Sequence, residues 1–337
     1  CIILYKGKTM ENANYQTEIL NSNLYKIFGG IYNDFRSVAK SDYMFELDPL
    51  DYEGFIDAID KEYVKCIVLL ENHIPTAFLV YTTAISESIE LNVIHCLGND
   101  DLTAKRRLLI ERFLKETEAE RKEKVVCYPL LGVQSSFTTD IAHYGFKFVG
   151  LAVLRFMMDN KNSEEILRSV ANEPQDESYK VVTWDDLYFD AAVDVIHEGF
   201  KTASDALFDT RYLTKEGTND ILDKIVNGVY GEFLPESTSV LLYNGRPCGF
   251  CFTNITGGRI ANIPLVSIKK EHQGKGLAKH LVKKSVEHIL DKAHSGERDF
   301  TEVNVSAETN NIPALKMYRH IGFKEDYSYP QSYLPIA

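Results

Sequence analysis

The 337-residue chain has no run of about 18 apolar residues, so it offers no candidate for a membrane-spanning helix. Its first ten residues, Cys1–Met10, are a short mixed, strand-like piece with neither an apolar signal core nor a small-residue cleavage site. The chain therefore reads as cytoplasmic, without membrane partners. Basic residues are in deficit: 37 Lys and Arg stand against 49 Asp and Glu, a net charge of −12. A phosphate backbone needs a basic surface, which argues against nucleic acid as the partner and is compatible with a cationic amine. Cysteines are few, six in all. Cys66, Cys96, Cys127, Cys248 and Cys251 sit inside apolar strand-like runs, where a free thiol behaves as a small hydrophobe. Cys248 and Cys251 form a CxxC without a second CxxC or a His pair at ligand spacing, and in a strand the two side chains point to opposite faces. No metal site is expected.

What the chain does contain is a repeat of itself. Val68-Leu-Leu-Glu-Asn-His-Ile-Pro75-Thr-Ala-Phe78 matches Val240-Leu-Leu-Tyr-Asn-Gly-Arg-Pro247-Cys-Gly-Phe250 at a constant offset of 172. Each copy reads as strand, turn and strand, a β-hairpin. Ala104-Lys105 then aligns with Ala278-Lys279 at an offset of 174, and Gly145-Phe146-Lys147 with Gly322-Phe323-Lys324 at 177. Three matches in order with a small drift imply two copies of one fold separated by loop insertions. The length fits two domains of about 150 residues. The polar stretch Asp159–Glu177 reads as a linker holding one short helix, Ser163–Ala171, so the expected division is 1–158, 159–177 and 178–337.

The second copy reads as a strand at Lys180–Thr183, helices near Leu187–Glu198 and Thr218–Gly228, and strands at Thr238–Tyr243, Cys248–Asn254 and Arg259–Ile268. A helix at Gly276–Ala293, a strand at Thr301–Ser306, a helix at Ile312–His320 and a last strand near Phe323–Tyr333 complete it. Hairpins followed by a strand–helix–strand crossover give an α+β fold, a mixed, mostly antiparallel sheet flanked by helices.

After the strand ending at Ile268, Gln273-Gly-Lys-Gly-Leu-Ala278 runs straight into a helix. Gly274 and Gly276 lack Cβ atoms, so successive N–H groups can converge on one anion, and the helix adds its free amides and the positive end of its dipole. Lys275 and Lys279 bring charge nearby. A lone Gly-x-Gly before a helix is more often only a tight turn. It is not the dinucleotide fingerprint, which needs a third glycine and a downstream acid, nor a P-loop, which ends in Gly-Lys-Ser/Thr.

Gln273–Ala278 resembles the Q/R-x-x-G-x-G/A motif of the GNAT acetyltransferase superfamily. Thirty-three residues after Ala278 begins Asn311-Ile-Pro-Ala-Leu-Lys-Met-Tyr318-Arg-His-Ile-Gly322-Phe323. It resembles the N-x-x-A-x-x-x-Y-x-x-x-G-F pattern that follows the family's fifth strand. Both motifs lie within residues 180–337; likeness in the first half rests on the internal repeat alone. The whole is similar to tandem GNAT proteins with one degenerate copy.

The resemblance implies an acyltransferase that takes acetyl-CoA, or another short acyl-CoA, as co-substrate. The acyl group would pass directly to a primary amine of a small molecule, amino acid or peptide. The backbone of Val266, Ser267 and Ile268 would pair with the pantetheine arm, and the amides of Gln273, Gly274, Lys275, Gly276, Leu277 and Ala278 would hold the pyrophosphate. Asn311 would contact the cofactor at the start of the next helix. Tyr318 would be the general acid, since a phenol titrates near a thiol, although a helix tyrosine packed on the core is the plain alternative. No base stands out: Ile260–Ile268 carries no carboxylate, and Glu302, Asn304, Ser306, Glu271, His272 and Glu308 remain open. The loop Phe200–Tyr212, with Asp205, Phe208, Asp209, Arg211 and Tyr212, stands where the family has its acceptor site. In the first copy Gly98-Asn-Asp-Asp101 stands opposite the pyrophosphate loop and Ile141 opposite Tyr318, so that copy is expected neither to bind CoA nor to catalyse. A non-catalytic acyl-CoA sensor is the alternative to an enzyme, and an oligomer is compatible with the sequence.

Overall fold

The computed structural model describes residues 15–45, 51–83, 87–171 and 174–336. The strand-like piece expected at Cys1–Met10 lies outside them. Two compact units result: residues 1–148 with 330–337, and residues 149–329.

The first unit contains β1 (Tyr15–Ile19), α1 (Tyr25–Tyr43), α2 (Tyr52–Asp60), β2 (Lys65–Glu71), β3 (Ile74–Thr82), β4 (Ile89–Cys96), α3 (Leu102–Glu116), β5 (Val126–Pro129) and α4 (Thr138–Ala142). The strands lie in the order β1-β2-β3-β4-β5, antiparallel except for β4 and β5. Residues 331–334, near the end of the chain, add a further antiparallel strand, Gln331 opposite Pro129 and Leu334 opposite Val126. Strand periodicity sorts the side chains of β2 into two cores. Ile67 and Leu69 pack with Leu109, Ile110 and Phe113 of α3, while Cys66, Val68 and Leu70 pack with Phe28, Ile31 and Phe35 of α1. Both faces of the sheet are thus covered by helices.

The second unit begins inside β6 (Lys147–Met157) and continues through α5 (Lys161–Ser169), β7 (Tyr179–Thr183), α6 (Phe189–Phe200), α7 (Asp205–Phe208), α8 (Lys215–Val226), β8 (Glu232–Phe233), β9 (Ser239–Tyr243) and β10 (Arg246–Cys251). There follow β11 (Asn254–Gly257), β12 (Ile260–Asn262), β13 (Val266–Ile268), α9 (Leu277–His294), β14 (Glu302–Glu308), α10 (Ile312–Ile321) and β15 (Lys324–Leu334), of which residues up to Tyr329 belong here. An antiparallel sheet β13-β10-β9-β7 stands beside the strands β6-β14-β12-β11-β8. Leu281, Val286 and Ile289 of α9 fill one core with Leu241 and Cys251. Val240, Phe250 and Phe252 face the other, with Trp184 and the apolar faces of α6 and α8. The result is the α+β architecture expected, a mostly antiparallel sheet system flanked by helices.

The limits of the units differ from those expected. The anticipated linker helix appears as α5 and belongs to the second unit: Leu167 is buried in its core, and the Ser163 hydroxyl donates to the Gly322 carbonyl at 3.3 Å. The segment Leu151–Met157 pairs antiparallel with β14 along its full length, from Glu308 opposite Leu151 to Glu302 opposite Met157. Each unit is therefore closed by a strand from the far end of the other repeat. Local sequence carries no sign of this, because partner choice for a strand is decided by long-range packing.

Candidate functional site

The segment expected as one strand at Arg259–Ile268 is broken in two. β12 runs parallel to β14, with Ala261 opposite Val303 and Asn262 opposite Asn304, and a last bond runs from Ile263 N–H to Asn304 C=O at 3.0 Å. Pro264 then removes a ladder donor. The chain turns away and re-pairs as β13 with β10, Gly249 opposite Ile268 and Cys251 opposite Val266. β13 is the edge of its four-stranded sheet. The two parallel strands thus part after Asn262, and a cleft of ≈ 990 Å³ opens between β13 and the end of β14.

Below this opening, Gln273–Ala278 leads into α9. Gly274 and Gly276 adopt φ of +75° and +73°, a left-handed conformation that carries little strain only for glycine. Neither is crowded, so conformation and not space demands glycine there. Gly276 is the N-cap residue of α9, an 18-residue helix with no side-chain cap, which leaves its first amides available to a ligand. The Gln273 amide donates to the Ile268 carbonyl at 2.8 Å and so ties the loop to the end of β13. Gly276→Val should cost about 1–2 kcal/mol in backbone strain and weaken CoA binding roughly tenfold, measured by calorimetric titration.

Of the residues read as cofactor-binding, Val266, Ser267, Ile268, Gln273, Gly274, Gly276, Leu277, Ala278 and Asn311 all line the cleft. Ser267 also donates to Val195 C=O at 3.2 Å, and a Cβ on Gly199 would meet its hydroxyl at 2.2 Å, so α6 packs directly on β13. Asn311 caps α10 by accepting the Ala314 N–H at 3.2 Å. The side chain of Lys275 turns elsewhere: its Nζ donates to the Tyr179 hydroxyl at 2.9 Å, a bond that raises its pKa. Tyr179 in turn bonds His272 Nδ1 at 2.8 Å, and Tyr243 packs against the same imidazole. Lys275 therefore braces the loop, and the nearby cation that does line the cleft is Lys279.

Tyr318 is buried, lines the cleft and packs edge-on against Phe323 at 5.5 Å. Its hydroxyl has no hydrogen-bond partner among the described residues. Burial pushes its pKa well above the ordinary phenol value, with the nearby Cys251 adding to the effect. Cys251 and Cys248 are themselves pushed up by burial, to about 12 and about 11, so both remain thiols.

The region expected as the loop Phe200–Tyr212 holds α7 and a 3₁₀ turn, and it divides. Phe200, Asp205 and Phe208 line the cleft. Tyr212 is buried and stacks on Phe200 at 5.0 Å, while Arg211 clamps the turn from below through Asp209 at 2.6 Å and Asp220 at 2.7 Å. Among the base candidates, His272, Ser306 and Glu308 line the cleft. Glu302 is buried and paired with Arg155 at 2.6 Å. Glu308 accepts from the Ser204 hydroxyl at 2.6 Å. Leu151 and Met317 also line the cleft and were not singled out from the sequence. Nothing in the pattern around Leu151, at the end of the first repeat, marks it as part of this site.

The corresponding place in the first unit is filled. β4 and β5 pair in parallel at Ile89–Val126 and Glu90–Cys127 and then separate. The gap holds Gln134, fully buried, whose Oε1 accepts the Ile94 N–H at 3.0 Å and the Tyr128 hydroxyl at 2.7 Å. Ile141 is also fully buried, in the core. At the loop, Asp101 adopts φ of +54° at the start of α3, and its carboxylate accepts from Tyr15 at 3.4 Å.

Residues 235–325 match the family model of the acetyltransferase (GNAT) domain. No curated protein sequence matches the chain. Among solved structures, the chain is similar to a GCN5-related N-acetyltransferase from Sphaerobacter thermophilus, with 12% identity, 96% of each chain covered and a TM-score of 0.63. A tandem GNAT protein from the clavulanic acid biosynthesis pathway matches with 12% identity over 96% of this chain and 99% of its own, at a TM-score of 0.56. A GCN5-related glucosamine N-acetyltransferase region of a fungal multi-domain enzyme matches at 10% identity and a TM-score of 0.60, covering 96% of this chain and 38% of that one. Among the described residues no helix is long and apolar enough to cross a membrane. Residues 235–325 thus match the acetyltransferase (GNAT) domain family, in a chain whose fold along nearly its whole length is similar to that of a tandem GNAT protein.

Proposed function

We propose that the second unit transfers a short acyl group, most simply acetyl, from acyl-CoA to a primary amine by direct attack, and that the first unit is a non-catalytic scaffold. The observation that carries this reading is the convergence on one cleft of three features: the unpaired edge of β13, the amides of Gln273–Ala278 and the hydroxyl of Tyr318. An extended pantetheine arm is a chain of amides and can pair with a strand edge as a further strand would. The diphosphate is matched by left-handed glycines at a helix N-terminus, with Lys279 alongside. The reaction joins a neutral amine to a thioester carbonyl and expels a thiolate. Holding the two partners in line supplies much of the acceleration without a covalent enzyme intermediate. Tyr318, kept protonated by burial, donates to the leaving sulfur.

A second reading, an acyl-CoA sensor, draws on the absence of any carboxylate in Ile260–Ile268, the segment that carries β12 and β13. Free-thiol release from acetyl-CoA across a panel of primary amines separates the two. An enzyme gives amine-dependent release; tight CoA binding without release on any amine leaves the sensor.

A further inference from the structure

Two carboxylates, Asp205 on α7 and Glu308 at the end of β14, line the cleft, and neither has a basic partner within ion-pair distance among the described residues. Three other acidic side chains of this unit are matched by cations, Asp209 and Asp220 by Arg211 and Glu302 by Arg155. Glu308 is instead held in place by a neutral donor, the Ser204 hydroxyl at 2.6 Å. Phe200 and Phe208 line the same cleft. Two negative charges beside aromatic side chains, neither of them ion-paired within the described residues, describe a receptacle for an ammonium group.

The geometry points to a cationic primary amine with an apolar body and no carboxylate next to its nitrogen as the acceptor, held by Glu308 and deprotonated by Asp205. The assignment rests on the acyl transfer proposed above and narrows it. An α-amino acid would bring its own carboxylate against Asp205 and Glu308, and like charges at this range repel.

The proton balance closes. The ammonium arrives with three protons and gives one to the Asp205 carboxylate, which passes it to solvent. The neutral amine then forms the C–N bond to the thioester carbonyl carbon. As the C–S bond breaks, Tyr318 donates its proton to the departing sulfur, and the proton leaving the new amide nitrogen restores the Tyr318 hydroxyl. Desolvation by the cleft walls, with Glu308 adding its charge, raises the pKa of Asp205, the direction that strengthens a base. The residue as a whole remains solvent-exposed, so it can exchange protons with water.

The test compares amines with their α-carboxylated counterparts on the full chain with acetyl-CoA: 2-phenylethylamine against phenylalanine, isoamylamine against leucine, and cadaverine against lysine. The expected result is a preference in kcat/KM of roughly tenfold or more for the decarboxylated member. Asp205→Asn should lower kcat about tenfold or more and remove the acidic limb of the pH profile, and Glu308→Gln should chiefly raise KM for the amine. Both variants should bind CoA as the parent does, which also reports that they are folded. Equal or better turnover of the amino acids, or Asp205→Asn with an unchanged pH profile, overturns the acceptor assignment and leaves acyl transfer standing. CoA binding with no thiol release on either set overturns both.

Discussion

Replacement of Tyr318 by phenylalanine lowers amine-dependent turnover of acetyl-CoA roughly 10²-fold or more and leaves CoA affinity nearly unchanged. The ring fills its place in the core beside Phe323, and phenylalanine keeps that packing. No hydrogen bond is lost within the protein, because the hydroxyl has no partner among the described residues to lose. The effect therefore falls on the chemical step, through the missing proton for the departing thiolate. The pH dependence carries an independent sign. A phenol whose pKa is raised by burial stays protonated through the ordinary phenol range, so wild-type kcat should show no descending alkaline limb from this group below about pH 10. Stopped-flow or steady-state thiol release for Tyr318→Phe, beside calorimetric CoA titration, reads both quantities. Turnover equal to wild type removes Tyr318 from the chemistry and returns it to the role of a packed helix tyrosine.

Much of this site was readable because its parts are local. Gly274 and Gly276 had to be glycine for backbone reasons, and left-handed conformations at a strand–helix junction leave a sequence mark. Asn311 and Tyr318 fall seven residues apart, from the cap of α10 to two turns along it, a spacing that follows from helical geometry. The repeated hairpins were legible for the same reason: both turns, Asn72-His73 and Asn244-Gly245, place two consecutive residues at positive φ. What escaped was long-range. The break at Ile263–Leu265 that opens the cleft was read as uninterrupted strand, although Pro264 stood in the middle of it. The direction of the Lys275 side chain depends on Tyr179, ninety-six residues away. The closing of each unit by a strand from the other repeat leaves the order of the repeats intact, so the repeat pattern passed over it.

The first unit offers the converse experiment. Gln134→Ala should destabilise that unit by about 2–4 kcal/mol, lowering its unfolding midpoint by about 2–4 °C for each kcal/mol. The substitution leaves the Ile94 N–H and the Tyr128 hydroxyl buried without their acceptor and opens a cavity between β4 and β5. One smaller contribution runs the other way: Gln134 Nε2 is itself buried without a partner among the described residues, and that orphan disappears with the side chain. In the second unit the strands part around open space; in the first the chain supplies its own amide to the strand edge, where an acyl-CoA would otherwise bring one. Removing the plug should nonetheless leave one CoA bound per chain. The loop that the repeat aligns with Gln273–Ala278 still presents Asp100 and Asp101, whose carboxylates would repel a diphosphate. Thermal melts of Gln134→Ala with a CoA titration decide the matter. An unchanged melting profile denies Gln134 its bracing role, and a second equivalent of bound CoA shows that the plug alone kept the first unit from binding it.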